Sequence, residues 1–182
     1  NATHHLTTLL NNLISEPLDK GNKNFLPSSI QIATIDVGNT AANIIPEMAK
    51  ATVNIRYNDL HNSKSLTEWM QKHINDVFDK IDKASCVFEV EANGESFLTE
   101  PGKLSTLITK SISDATGRNS KPELATDGGT SDARFIKDYC EVVELGIRNQ
   151  TLHQVDEFVF IEDIKMLQKV YLKLLENYFN KI

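Results

Sequence analysis

Apolar positions along the chain alternate between a helical and a strand period. Leu6, Leu9, Leu10 and Leu13 recur at helical spacing, and Pro17 stops that helix. Residues 18–27 read as a polar loop around Gly21. Residues 29–37 (SIQIATIDV) alternate and are rich in isoleucine, as a half-buried strand would be. A turn at Gly38-Asn39-Thr40 follows, and residues 51–57 (ATVNIRY) alternate again. Leu66, Trp69, Met70, Ile74, Val77, Phe78 and Ile81 mark an amphipathic helix that Asn62 or Ser63 can cap. A third strand is expected at residues 86–91 (CVFEVE), ended by Asn93-Gly94. Ile30, Ile32, Ile35, Val53, Ile55, Val87 and Val90, in some combination, should form one apolar sheet face. Strict alternation breaks down near Asp36. Trp69, Ile74 and Phe78 should pack onto that face.

After Asn93-Gly94 the pattern changes. Pro101-Gly102 opens a helix with Leu104, Leu107, Ile108 and Ile112 on one side, and Gly117 closes it. Residues 123–125 are a short strand candidate. Residues 130–136 read as a helical segment starting on a glycine loop, and residues 140–145 (CEVVEL) as a buried strand. A last helix over residues 161–178 should turn Ile164, Leu167, Val170, Tyr171, Leu174 and Leu175 inward. The second half therefore reads as an α/β layer. The first half, in the order helix, strand, strand, helix, strand, reads as an α+β unit. It fits a ferredoxin-like split β-α-β arrangement lacking one strand before Asn1. A chain starting at Asn1 within a helix is read as a piece of a longer protein.

The bulk numbers narrow the class. The chain has 182 residues, 40% hydrophobic and 24% charged, with a net charge of -6. That balance argues against a general nucleic-acid binder, which usually carries a basic face. No run of about 18 apolar residues could span a membrane. Residues 1–15 lack the basic start and apolar core of a signal peptide. Cys86 and Cys140 are expected to be reduced, buried thiols of a cytoplasmic protein.

Candidate chemistry concentrates in two stretches. Gly128-Gly129-Thr130-Ser131-Asp132-Ala133-Arg134-Phe135 combines a double-glycine turn with small hydroxyls, which lets backbone and side-chain donors approach a carboxylate. Asn149-Gln150-Thr151-Leu152-His153-Gln154-Val155-Asp156-Glu157 puts a histidine on a polar loop, where a neutral imidazole can ligate a metal. The remaining histidines offer less. His4 and His5 are adjacent on a helix and diverge, and His61 and His73 are expected to face solvent.

These stretches follow Asn43-Ile44-Ile45-Pro46, Asn54-Ile55-Arg56-Tyr57, Phe97-Leu98-Thr99-Glu100-Pro101-Gly102-Lys103-Leu104, and precede or enclose Val142-Val143-Glu144-Leu145-Gly146. In that order the motifs resemble the succinyl-diaminopimelate desuccinylases, of the aminoacylase and carboxypeptidase group of di-zinc hydrolases. The resemblance covers essentially the whole chain and corresponds to the C-terminal half of such an enzyme. It implies that residues 1–93 are most of a dimerising lid of ferredoxin-like topology. Residues 94–182 would then be the C-terminal segment of a zinc-peptidase-like α/β catalytic domain. It further implies a cytoplasmic homodimer, two zinc ions per full-length subunit, and hydrolysis of N-succinyl-LL-diaminopimelate to succinate and LL-diaminopimelate. Alternatives are a sister enzyme such as an acetylornithine deacetylase or small peptidase, and a stand-alone dimerisation module without catalysis.

The resemblance also assigns roles. His153 matches a histidine ligating one zinc, while the other ligands and the glutamate general base belong to the N-terminal half. No catalytic residue is therefore expected here, and this chain alone should be inactive. Arg56 could be an ordinary residue of an exposed sheet face; the resemblance makes it a partner for a substrate carboxylate. Asn43 could merely end a loop before Pro46, or reach the active site of a partner subunit. Gly128, Gly129, Thr130 and Ser131 would form a substrate-carboxylate loop, and Asn149 would support the substrate or only its own loop. Asp127 departs from the family pattern and would repel a carboxylate unless paired with Arg134 or Lys137.

Overall fold

The computed structural model describes residues 1–117, 121–126, 131–147, 150–152 and 154–179, which divide into two compact units, Asn1–Phe97 and Leu98–Ile182. In the first unit, α1 (Ala2–Ile14) starts at Asn1, whose side chain accepts from the Thr3 amide at 3.1 Å. Strands β1 (Ser29–Asp36) and β2 (Lys50–Arg56) pair antiparallel, and α2 (Ser63–Phe78) follows. The capping expected of Asn62 is present. Its side chain accepts from the Ser65 amide at 2.8 Å, and Ser65 Oγ accepts from the Asn62 amide at 3.1 Å.

Both helices bury their apolar stripes on each other and on one sheet face. Leu9, Leu10 and Leu13 meet Met70, Ile74 and Val77, and against this cluster pack Ile32, Ala51, Val53 and Ile55 of the sheet with Trp69 and Phe78. Each such buried side chain contributes about 1.5–3 kcal/mol. The register places Ile30 opposite Ile55, Ile32 opposite Val53 and Ile35 opposite Ala51, with an irregularity between Ile32 and Thr34. Ala33 is the extra residue of this bulge. It returns Ile35 to the face of Ile32, which is how three isoleucines at uneven spacing share a side. Ile35 lies towards the end of the hairpin and stays 56% exposed.

The third strand is not formed. Residues 86–91 pair with no strand among the described residues. Val87 and Val90 are 87% and 52% exposed, whereas Phe88 packs on the core. The expected facing of this segment is thus inverted: the aromatic side chain has more apolar area to bury than either valine, and it takes the inward position. Cys86 is exposed rather than buried, since the unpaired segment offers it no sheet face to lie on.

The second unit contains α3 (Lys103–Thr116), α4 (Ala133–Ile136) and α5 (Ile161–Phe179). Gly117 ends α3 in the left-handed region at φ 69°, where its lack of a Cβ is needed, as expected. Helices α3 and α5 pack together, burying Leu107, Ile108 and Val170. Ser111, fully buried on α3, donates to the Leu107 carbonyl at 2.8 Å and accepts from Asn177 of α5 at 3.1 Å. Several expectations fail here. Neither residues 123–125 nor 140–145 form a strand, and Cys140 is exposed. Of the α5 stripe only Val170 is buried, while Ile164, Tyr171 and Leu175 are 46%, 42% and 54% exposed. A strand exists only as a ladder with another strand, and no ladder forms here among the described residues.

Candidate functional site

Arg56 is the last residue of β2, opposite Ser29, on the sheet face away from the helices. Its neighbours on that side, Gln31 and Asn54, oppose each other across the ladder. The guanidinium is exposed and has no ion-pair partner among the described residues.

Asn43 belongs to the segment joining the other end of the hairpin. Asn39 donates through Nδ2 to the carbonyls of Ala41 and Ile44 at 3.1 and 2.9 Å, which folds residues 41–44 into a turn. The Pro46 carbonyl accepts from the Ala2 amide at 3.2 Å. Anchored on both sides, the turn leaves Asn43 exposed beside Ile44 and Ile45, themselves 61% and 71% exposed. Asn43 and Arg56 thus lie at opposite ends of the hairpin. The six steps from Lys50 to Arg56 separate those ends by about 20 Å at a strand rise of ~3.4 Å per residue.

Beneath Arg56 is a buried polar cluster absent from the sequence reading. The Asp19 carboxylate, 7% exposed, accepts from the Gly21 amide at 2.6 Å, the Ser28 amide at 3.2 Å and Asn58 Nδ2 at 2.8 Å. His61 Nε2 lies 3.1 Å from its other oxygen. His61 is therefore only 22% exposed and bound, not solvent-facing as expected, because a buried carboxylate with spare lone pairs captures it. His73 is likewise half-buried, edge-on to Trp69 with ring centroids 4.5 Å apart. Burial by itself would raise the Asp19 pKa. The hydrogen bonds from Ser28, Gly21 and Asn58 outweigh it and hold the carboxyl well below the usual carboxylate range. Gly21 has φ +72°, and a Cβ there would meet the Phe25 carbonyl oxygen at 2.6 Å and Pro27 nitrogen at 2.8 Å. An Asp two residues before a glycine was the one available signal, the pattern of a side chain closing its own turn.

Next to Arg56, the Tyr57 hydroxyl donates to the Gly94 carbonyl at 2.8 Å and contacts Glu95 at 3.1 Å. Burial, then the hydrogen bond and charge of Glu95, push its pKa up to about 12. The Glu95 carboxylate also accepts from the Ser63 amide and hydroxyl at the start of α2, and the Ser63 hydroxyl foremost holds its pKa low.

In the second unit, Ser131 Oγ accepts from the Ala133 amide at 2.9 Å and so starts α4. Ser131, Ala133 and Ile136 line a shallow open groove with Glu141, Val142 and Val143. The Arg134 guanidinium lies 4.7 Å over the Phe135 ring, and Lys137 donates to Asp138 at 2.7 Å. Gly128, Gly129, Thr130, Asn149 and His153 lie outside the described residues, as does Asp127. Either side of position 153, Thr151 Oγ1 donates to the Phe158 carbonyl at 2.7 Å and accepts from the Phe158 amide at 3.1 Å. Among the described residues no three histidine, cysteine, aspartate or glutamate side chains gather as a metal site. Nor is any helix of the described residues long and apolar enough to cross a membrane.

Residues 1–82 match the peptidase dimerisation domain family. Across its length the chain is similar to succinyl-diaminopimelate desuccinylase 1 of Ruegeria sp. (strain TM1040), 44% identical over 99% of this chain and 46% of the relative. It is similar to the succinyl-diaminopimelate desuccinylase of Parvibaculum lavamentivorans, at 44% identity over 98% of this chain and 45% of that protein. It is also similar to that of Caulobacter vibrioides, at 46% identity over 96% and 44%. The chain spans a little under half the length of these curated relatives. Residues 1–82 thus match a peptidase dimerisation domain, and nearly the whole chain is similar in sequence to part of the succinyl-diaminopimelate desuccinylases.

Proposed function

We propose that the chain is the C-terminal portion of a cytoplasmic zinc-dependent amidohydrolase that cleaves N-succinyl-LL-diaminopimelate to succinate and LL-diaminopimelate. The observation that carries the reading is the similarity to desuccinylases over 96–99% of this chain, across both units rather than the dimerisation domain alone. In this reading residues 1–93 are most of the lid of a homodimer, and residues 94–182 complete a catalytic domain whose remainder lies in the other half of the enzyme. The other half of the enzyme supplies the missing lid strand for residues 86–91 to pair with, catalytic-domain strands for residues 140–145, and a cover for the exposed stripe of α5.

Zinc, when bound, lowers the pKa of a water nucleophile and polarises the scissile carbonyl. His153 is assigned as one ligand. Arg56 donates a two-pronged hydrogen bond to a substrate carboxylate, for which its exposed guanidinium, without an ion-pair partner among the described residues, suits it. Gly128, Gly129, Thr130 and Ser131 supply backbone and hydroxyl donors to a carboxylate, and Asn149 orients the substrate near His153. The separation of about 20 Å between the hairpin ends supports a reading in which Asn43 and Arg56 of one subunit serve different sites. Asn43 is therefore assigned to the site of the partner subunit.

The test is an assay of the full-length enzyme containing this chain, with succinylated diaminopimelate and acetylornithine in parallel, before and after chelation. Chelator-sensitive turnover confined to the succinylated substrate is expected. Preference for acetylornithine would favour a sister deacylase, and the absence of any turnover a dimerisation module.

A further inference from the structure

We infer that Asp19 is a positioning residue for Arg56, acting through the buried cluster that closes the open end of the β1–β2 hairpin. The inference rests on the reading of Arg56 as a carboxylate-binding residue. Arg56 is exposed, and among the described residues no carboxylate holds its guanidinium. Its direction therefore depends on the backbone from which it projects. That backbone is at a strand end, where a hairpin ordinarily frays.

Here the end is tied. Asp19 accepts from the Ser28 amide, one residue before β1, and from Asn58 Nδ2, two residues after Arg56. Ser28 Oγ accepts from the Asn58 amide at 3.1 Å, and Asn58 Nδ2 also donates to the Leu26 carbonyl at 3.0 Å. Ser28 and Asn58 are only 8% and 4% exposed. These bonds continue the cross-strand pairing one step past the Ser29–Arg56 rung, with side chains in place of backbone. A buried carboxylate is costly unless its lone pairs are met. All its donors come from the segments leading into and out of the two strands, so what the charge achieves is to hold those segments together. A guanidinium fork binds a carboxylate well only at a fixed angle, and the cluster supplies that fixity from outside the contact.

The test compares Asp19→Asn and Asn58→Ala in the full-length enzyme, each alone and combined with Arg56→Ala. Asp19→Asn keeps the shape but turns an acceptor into a donor facing other donors; Asn58→Ala removes the side-chain ties to Asp19 and Leu26 and leaves the carboxylate. Each is expected to raise KM for the succinylated substrate roughly ten-fold with kcat within about two-fold, and to add nothing in the Arg56→Ala background. A thermal melt establishes folding, and if Asp19→Asn does not fold, Asn58→Ala decides. Unchanged KM in the folded variants, a fall in kcat instead, or an equal effect in the Arg56→Ala background overturns the inference. An Arg56→Ala enzyme with normal KM overturns the underlying reading of Arg56, which separates the two failures.

Discussion

Glu141 caps the helix that Lys103 begins: its carboxylate accepts from the Leu104 amide at 2.8 Å and the Lys103 amide at 3.3 Å, from 37 and 38 residues away. The N-cap of α3 is Gly102, which has no side chain to accept from the first turn. A distant carboxylate fills the vacancy and also meets the positive end of the helix dipole. Glu95 serves the start of α2 in the same way through the Ser63 amide. Glu141→Ala should therefore cost about 1–2 kcal/mol, read as a lower melting temperature. Gly102 has an ordinary extended φ of -135°, yet a Cβ on it would collide with the Glu141 carboxylate. Gly102→Ala is expected to destabilise the native protein and to be nearly neutral once Glu141 is alanine. Additive losses in that cycle would remove the coupling.

Acid stability should report on Asp19. Its folded pKa lies well below the usual carboxylate range. The unfolded chain therefore binds the proton more readily, and stability falls as pH falls. The contribution is complete above the unfolded pKa of about 4 and is lost progressively below it. Asp19→Asn should lower stability at neutral pH by about 2–4 kcal/mol, on the scale of a broken buried network. It should also flatten the decline below pH ~4. A wild-type slope for the variant in urea titrations at pH 7 and pH 3 would refute this assignment.

Alkaline titration should resolve Tyr57 from ordinary tyrosines. With its pKa raised to about 12, the neutral phenol is favoured by the fold. The stability it contributes is present below the unfolded value of about 10 and lost as pH rises towards the folded one. Phenolate absorbance should show one late-ionising group that Tyr57→Phe removes. Glu95→Gln should bring that midpoint down only in part, because burial is the larger cause.

Leu13 is 1% exposed at the centre of the first unit's core, whereas Ile14 beside it is 53% exposed. Leu13→Ala should cost about 2–5 kcal/mol, and Ile14→Ala well under half as much. Equal losses by chemical denaturation would mean that α1 is rotated from the packing described.

The helices were legible in the sequence because their signals are local. Asn62 sits three residues before the Ser65 amide it accepts from, and Gly117 directly follows α3. The hairpin was legible from its alternation, whereas the break in parity, expected near Asp36, lies at Ala33. Residues 86–91 and 140–145 misled because alternation describes a side chain's preference for a face, not the presence of a neighbouring strand. The Asp19 cluster went unseen because its partners lie up to 42 residues away. Gly128, Gly129, Thr130 and His153 stood out by residue type, but their roles and that of Asn149 came from the resemblance alone, and periodicity carries no information about them.

The ties at Asp19 turn the hairpin into a ring. Backbone pairing closes it from Ser29 to Arg56, the turn at Asn39 draws in one end, and the Ser28–Asn58 bonds seal the other. An open hairpin unzips from its free ends, so its terminal amides exchange with solvent long before the central ones. A ring has no free end to start from. Its amides should exchange together, those beside the Ser29–Arg56 rung as slowly as those beside Ile32 and Val53, and the strand that bears Arg56 should open only when the whole ring does.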